Sequence, residues 1–221
     1  LDYREDEYDV RDAFLDEKMH KAIAIMQFKL EGQLIKAHPE FQMDHRLLLD
    51  KIDPKKGTVI VEGKEYPLKD MFFPTIDWEN PYELSTDEKD VMERLTMAFV
   101  NCEKLQRHVR FLFAKGSLYK VYNGNLLYHG CMPMNEDGSF TKVNVYGTEY
   151  AGKELYDVLE SYARKGYYSI DPKEKKKGQD ILWFIWENQN SPVFGKAKMT
   201  TFERYFIADK KTHEEAKNPY Y

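Results

Sequence analysis

Leu118-Tyr119-Lys120-Val121-Tyr122-Asn123-Gly124-Asn125-Leu126-Leu127-Tyr128-His129-Gly130 is the stretch on which the fold turns. Two short β-prone runs flank Asn-Gly, the pair best suited to a tight hairpin turn because both central positions need positive φ. The apolar period changes here from helical to strand-like, so the chain mixes α and β. The second strand should end at His129-Gly130, where an imidazole can project into a cleft.

Upstream, Ser85 with Glu88 forms a capping box. Val91, Leu95, Ala98, Cys102, Leu105, Val109 and Leu112 then repeat at four-three spacing. The pattern predicts one uninterrupted helix over 86–115, ~45 Å long, ended at Gly116 in the left-handed conformation. Leu105 is expected to be buried in its face. Thr58 to Tyr66 predicts a small hairpin (58–67) around Gly63, and Phe72 to Tyr82, with Pro74 and Pro81, predicts an extended connection packed by aromatics. A first helix over Phe14–Ile35 should bury Leu15, Met19, Ala22/Ile23, Met26, Leu30 and Leu34.

Downstream, Asn135-Glu136-Asp137-Gly138 is a polar loop before the short strand Val143-Asn144-Val145. Leu155, Val158, Leu159, Tyr162 and Ala163 predict another helix. Lys173 to Lys177 reads as a hydrophilic connector, and Ile181 to Trp186 as a short segment that is almost wholly buried. Thr200 with Glu203, and Thr212 with Glu215, look like two further capped helix starts.

The 221 residues suffice for one generous domain or two small ones. Sixteen Tyr and 13 Phe argue against intrinsic disorder. A net charge of −5, from 33 basic and 38 acidic residues, offers no global field for nucleic acid or anionic lipid. No apolar run approaches the ~20 residues that span a bilayer, and the acidic opening Leu1-Asp2-Tyr3-Arg4-Glu5 is not a signal peptide. With only Cys102 and Cys131, no disulfide framework is expected and a cytoplasmic home fits.

Motifs for chemistry are sparse. There is no His-x-x-x-His, no Cys-x-x-Cys and no phosphate-cradling glycine motif. Ser191 and Cys131 lack a visible base. Lys196, Lys198 and Arg204 lie near Gly195 and a helix start, an arrangement suited to an anion. On local pattern alone His129 reads more readily as a core histidine bonded to a backbone carbonyl than as a ligand.

Longer strings go further. Met19-His20-Lys21-Ala22-Ile23-Ala24-Ile25-Met26-Gln27-Phe28-Lys29-Leu30-Glu31-Gly32-Gln33 resembles the class III fructose-1,6-bisphosphatases of bacteria. So do Glu103 to His108 with Arg110 to Phe113, Tyr122 to Cys131 with Pro133 and Asn135 to Gly138, and Asn190-Ser191-Pro192 with Phe194-Gly195-Lys196, Thr201 to Phe206 and Lys217 to Tyr221.

That family is similar to the calcineurin-like metallophosphatases. The resemblance implies an α+β fold, part of a β-sandwich flanked by helices and carrying a helical insertion. Residues 1–115 would form that insertion, 116–149 the core hairpin with His129, and 150–221 a mixed helical segment of the same catalytic domain. It also implies a centre of two metal ions, commonly manganese, and hydrolysis of fructose 1,6-bisphosphate to fructose 6-phosphate and phosphate in gluconeogenesis. Homo-oligomerisation is compatible with it; nucleic acid and membrane partners are not expected.

Carried over residue by residue, the family's strand-end His-Gly matches His129-Gly130 and makes His129 a metal ligand. Lys196 and Arg204 are the candidate substrate-binding residues. The family's Asp-x-His, Gly-Asp-x-x-Asp-Arg-Gly and Gly-Asn-His-Asp motifs do not occur in this sequence. The expectation is therefore an internal fragment of a longer enzyme, inactive by itself, with most metal ligands elsewhere. The alternatives are a binding or regulatory module without a metal site, and a metallophosphatase for another phosphomonoester.

Overall fold

The computed structural model describes residues 10–214, with side chains from Leu15 onward, and its first element is the helix α1 (Val10–Ala37). Three single turns of 3-10 helix lead into an antiparallel sheet of β1 (Ile52–Asp53), β2 (Thr58–Val61) and β3 (Lys64–Pro67). The predicted 58–67 hairpin is present, in the register Val59 to Tyr66 and Val61 to Lys64. The Phe72–Tyr82 connection carries no helix and buries Phe73, Ile76 and Tyr82.

A helix pair follows, α2 (Thr86–Val100) and α3 (Glu103–Lys115), then the hairpin β4 (Tyr119–Tyr122) and β5 (Asn125–Tyr128). A second hairpin, β6 (Val143–Val145) and β7 (Thr148–Tyr150), precedes the helices α4 (Gly152–Tyr168), α5 (Pro172–Glu187) and α6 (Thr201–Phe206). The fold of the described residues is thus α+β, with three separate small antiparallel sheets.

Two apolar clusters hold these elements. In the first, Ile25 of α1 packs with Val59 and Val61 of β2, Phe73, Ile76 and Tyr82 of the connection, and Phe202 and Phe206 of α6. In the second, Ile35 at the far end of α1 packs with Val143 and Val145 of β6, Leu155 and Leu159 of α4, and Ile181 and Phe184 of α5. Helix α1 is therefore the strut between the clusters. Each buried Leu, Ile or Phe contributes on the order of 1.5–3 kcal/mol.

Several expectations need correction. The single helix over 86–115 is two helices, interrupted at Asn101-Cys102. Asn101 N–H still bonds Met97 O (2.9 Å), but Cys102 turns extended (ψ 97°) and becomes the N-cap of α3. Val, Asn and Cys in succession are all weak helix formers, yet Cys102 fits the apolar repeat and hides the break. The Gln106 side chain reaches back to Phe99 O (3.1 Å), helping to satisfy the end of α2. Gly116 is extended (φ −74°), not left-handed, and Leu105 is only half-buried.

The burial face of α1 also differs. Met26 is buried as expected, but Leu15, Met19, Ala22 and Ile23 are exposed, whereas Ile25, Lys29, Gly32 and Ile35 face inward. An apolar count misses this face because it includes a lysine and a glycine. Lys29 is wholly buried because Glu88 and Thr75 O receive its ammonium group.

Lys173 to Lys177 is not a connector but the first turns of α5. Asp171 caps them by accepting from Lys173 N–H (2.8 Å), and Pro172 occupies the position where a missing N–H costs nothing. Ile181 to Trp186 is the other half of that helix, with Trp186 exposed. A helix does start after Thr200, but Thr200 makes no side-chain cap and Glu203 turns to Arg46 instead. Thr212 lies in a 3-10 turn, and Glu215 falls outside the described residues.

Candidate functional site

The β4–β5 turn forms as its residues dictate, with Asn123 at φ 49° and Gly124 at φ 75°. The ladder pairs Tyr119 with Tyr128 and Val121 with Leu126, and brings the chain out at His129, which is exposed. What fixes this strand end is the loop after α5. Cys131 N–H donates to Pro192 O (2.9 Å), and the buried Tyr156 hydroxyl of α4 donates to Cys131 O (2.5 Å). Burial, with Cys131 beside it, pushes the Tyr156 phenol up to about 12, so it stays a neutral donor at any ordinary pH.

Gly130 has a packing reason. A Cβ there would stand 2.5 Å from Pro192 O and 2.8 Å from Val193 O. The glycine lets two backbone segments touch.

The receiving loop is rigid for local reasons. Ser191 is wholly buried; its hydroxyl donates to Ile185 O (2.5 Å) and accepts from Val193 and Phe194 N–H (3.1 and 3.3 Å). Asn188, also buried, donates to Phe41 O (2.8 Å) and accepts from Asn190 N–H (2.7 Å). Both side chains therefore serve as loop staples. Lys196 extends from the same loop, just after Gly195 (φ 66°), and is half-buried.

Arg204 sits elsewhere, on α6. Its guanidinium donates to Thr200 Oγ1 (3.1 Å) and to His213 O (3.4 Å). The structure thus joins the His129 strand end to the loop that carries Lys196, whereas Arg204 belongs to the α6 neighbourhood.

One imidazole supplies one coordination bond, and a metal ion needs several donors in fixed geometry. Among the described residues no group of three or more His, Cys, Asp or Glu side chains could hold a metal ion. These residues by themselves do not fit a two-metal centre. His38, which stacks on Phe41, lies between Glu40 (2.9 Å) and Asp180 (3.1 Å), and His213 contacts Ile207 O (2.8 Å).

Composition and motif spacing missed three buried charge clusters. Lys29 and Glu88 form an ion pair (2.7 Å) whose carboxylate also accepts from Ser85 N–H (2.8 Å). Burial pushes the Glu88 carboxyl up, but the Lys29, Thr75 and Ser85 contacts outweigh it and hold the group below its ordinary value. Arg46 grips Glu203 with both terminal nitrogens (2.6 and 3.0 Å). Glu31 and the buried Glu187 line one cavity of about 20 Å3. The available signal was a charge at a helix position one or two turns from an apolar core residue, such as Lys29 after Ile25.

The family model for Firmicute fructose-1,6-bisphosphatase matches residues 2–221. The chain belongs to this family. The fructose-1,6-bisphosphatase class 3 of Clostridium novyi (strain NT) is 56% identical over 205 residues, covering 92% of this chain and 31% of that protein. That of Clostridium botulinum (strain Langeland) is 58% identical over the same shares. The chain spans about a third of the length of the curated relatives it matches. No solved structure matches it. No helix among the described residues is long and apolar enough to cross a membrane.

Proposed function

We propose that the protein containing this chain hydrolyses fructose 1,6-bisphosphate to fructose 6-phosphate and phosphate, as a cytoplasmic step of gluconeogenesis. The observation that carries this reading is the match over 92% of the chain to relatives named fructose-1,6-bisphosphatase class 3. The whole protein is proposed to use manganese, to assemble as a homo-oligomer, and to engage neither nucleic acid nor membrane.

This segment's part would be to present His129 as one imidazole ligand, held from behind by Tyr156 and the Ser191 loop, with the other ligands drawn from outside the described residues. Lys196, in the loop that braces this strand end, is proposed to meet a substrate phosphate. Arg204, tied to Thr200 and His213, is proposed as a second, more remote contributor. By itself the segment is proposed to be inactive.

The β4–β5 hairpin is proposed to belong to a larger calcineurin-like sandwich. Two features support this. The hairpin pairs with no third strand among the described residues, and Tyr119, Val121, Leu126 and Tyr128 leave an apolar cleft of about 270 Å3 above Tyr156. A lone two-stranded ladder is only marginally stable in water.

The test is manganese-dependent phosphate release from fructose 1,6-bisphosphate by the full-length protein beside its His129→Ala form. Loss of at least ~100-fold with unchanged folding is expected when a metal ligand is removed, since even outer-shell partners cost 10–100-fold. Activity indifferent to the substitution would return His129 to a surface role, and an inactive parent would overturn the assignment.

A further inference from the structure

The last residue of α5, Glu187, is 5% exposed and lines a small cavity together with Glu31 of α1. Two carboxyl groups beside one small, largely buried cavity resist double ionisation, because burial and like charge both disfavour the second anion. The Oε2 atom of Glu187 is buried and has no hydrogen-bond partner. An orphaned buried carboxylate oxygen is far costlier than the oxygen of a neutral acid. The cavity at this point, about 20 Å3, has room for about one water molecule.

The surrounding charges relieve the pair only in part: the Arg46 cation draws both carboxyls down, but less than burial raises them. Arg46, from the 3-10 turn after α1, gives both terminal nitrogens to Glu203 of α6. Gln27 on α1 donates to Glu31 (2.6 Å), which stabilises one carboxyl only. The Trp183 indole N–H, one turn before Glu187, has no partner of good geometry. His45, next to Arg46, is held below its ordinary value by burial and then by that cation, so it adds little charge near neutrality. Tyr82, which also lines the cavity, has its phenol raised by burial and donates to Asp50 (3.1 Å), so it stays neutral.

We propose that Glu31 and Glu187 hold one proton between them at neutral pH, and that its loss loosens the junction of α1 with the end of α5 and with the Asn188–Phe194 loop that braces the His129 strand end. The shared cavity, the unpartnered oxygen and an arginine already paired with Glu203 all favour that proton. Burial, and then the charge of Glu31, push the Glu187 carboxyl up to about 8, against an ordinary value of 4.5. Glu31 is raised by burial as well.

The direction of the effect follows from linkage. A carboxyl raised in the folded state keeps a proton that the unfolded state releases above 4.5. The closed junction is therefore favoured at low pH and loses support as pH rises from the ordinary glutamate range towards 8. Above that value the loss is complete.

The experiment uses the full-length protein. Infrared difference spectra across a pH titration should show a buried protonated carboxyl band that bleaches near pH 8 and is absent in Glu187→Gln. Hydrogen exchange of the peptide 181–194, corrected for intrinsic rates, should show protection falling by up to roughly tenfold per pH unit across the same window. Glu187→Gln, an isostere of the neutral acid, should flatten that slope. A band that titrates at the ordinary glutamate value, or one unchanged by Glu187→Gln, would overturn the proposal. So would a protection slope that persists in Glu187→Gln. If that variant does not fold, the wild-type titration beside Glu31→Gln decides the matter.

Discussion

Helices α4 and α5 meet where Gly166 faces Gly178 and leave no room between their backbones; a Cβ on Gly178 would fall on Gly166 N and Tyr162 O. Their sides bury Leu155, Leu159, Ile181 and Phe184 in a shared cluster. Helices α2 and α3, of comparable length, do the reverse. Phe99, Phe111 and Leu112 are each more than 60% exposed, and neither helix has a buried apolar residue. Both pairs carry apolar repeats. The difference teaches that the repeat specifies the helix, whereas burial depends on a partner face that the repeat does not name.

Among the described residues α2 is fastened at its start, by the capping box and by the Lys29–Glu88 pair that ties it to α1. Glu88→Ala should therefore have the largest effect, because it strands a wholly buried ammonium group. A loss of about 3–5 kcal/mol is expected, read from denaturant unfolding. Because Glu88 is held below its ordinary value, the contact stabilises above the unfolded glutamate value and is lost as pH falls through the folded one. A loss below ~1 kcal/mol would mean that the pair is already broken or hydrated. That would make α2 as loosely attached at its start as along its length.

The next break is in the tight pair. Gly178→Ala puts a methyl group against backbone, which cannot rotate away. About 1–3 kcal/mol is expected from overpacking, again by denaturant unfolding. Near-neutral behaviour would show that α4 and α5 can slide apart at little cost, and would erase the contrast with α2 and α3.

How much of this was legible beforehand differs by element. The β2–β3 and β4–β5 hairpins announced themselves, Asn123-Gly124 most clearly, because local turn chemistry decides them, whereas of the β6–β7 hairpin only the strand Val143–Val145 was legible. The Ser85/Glu88 cap was equally readable. The Asn101-Cys102 break was not, since a cysteine satisfies an apolar repeat whether the helix continues or restarts. The inward face of α1 was hidden because Lys29 becomes a core residue only when Glu88 arrives from 59 positions away. At the site, His129 was readable as a strand-end histidine, while the reason for Gly130 needed the Pro192-Val193 backbone brought beside it. The Glu31–Glu187 pair joins residues on two different helices, so no spacing rule could find it.

The smallest effect is expected on the open pair, and it separates two accounts of Leu112. The four-three repeat treats this residue as core, and truncating a buried leucine costs about 2–5 kcal/mol. In the structure it is 62% exposed. If that exposure holds, Leu112→Ala removes little buried area and alanine is the better helix former, so the two terms nearly cancel. A change within ~0.5 kcal/mol is then expected for the segment. In the full-length protein the same substitution reports whether another part of the chain covers this face. A loss there of more than ~2 kcal/mol, against a near-neutral result in the segment, would show that the exposed repeat of α3 is a core waiting for its other half. Equal and small changes in both would leave α2 and α3 as a projecting arm whose apolar residues face solvent in the whole protein too.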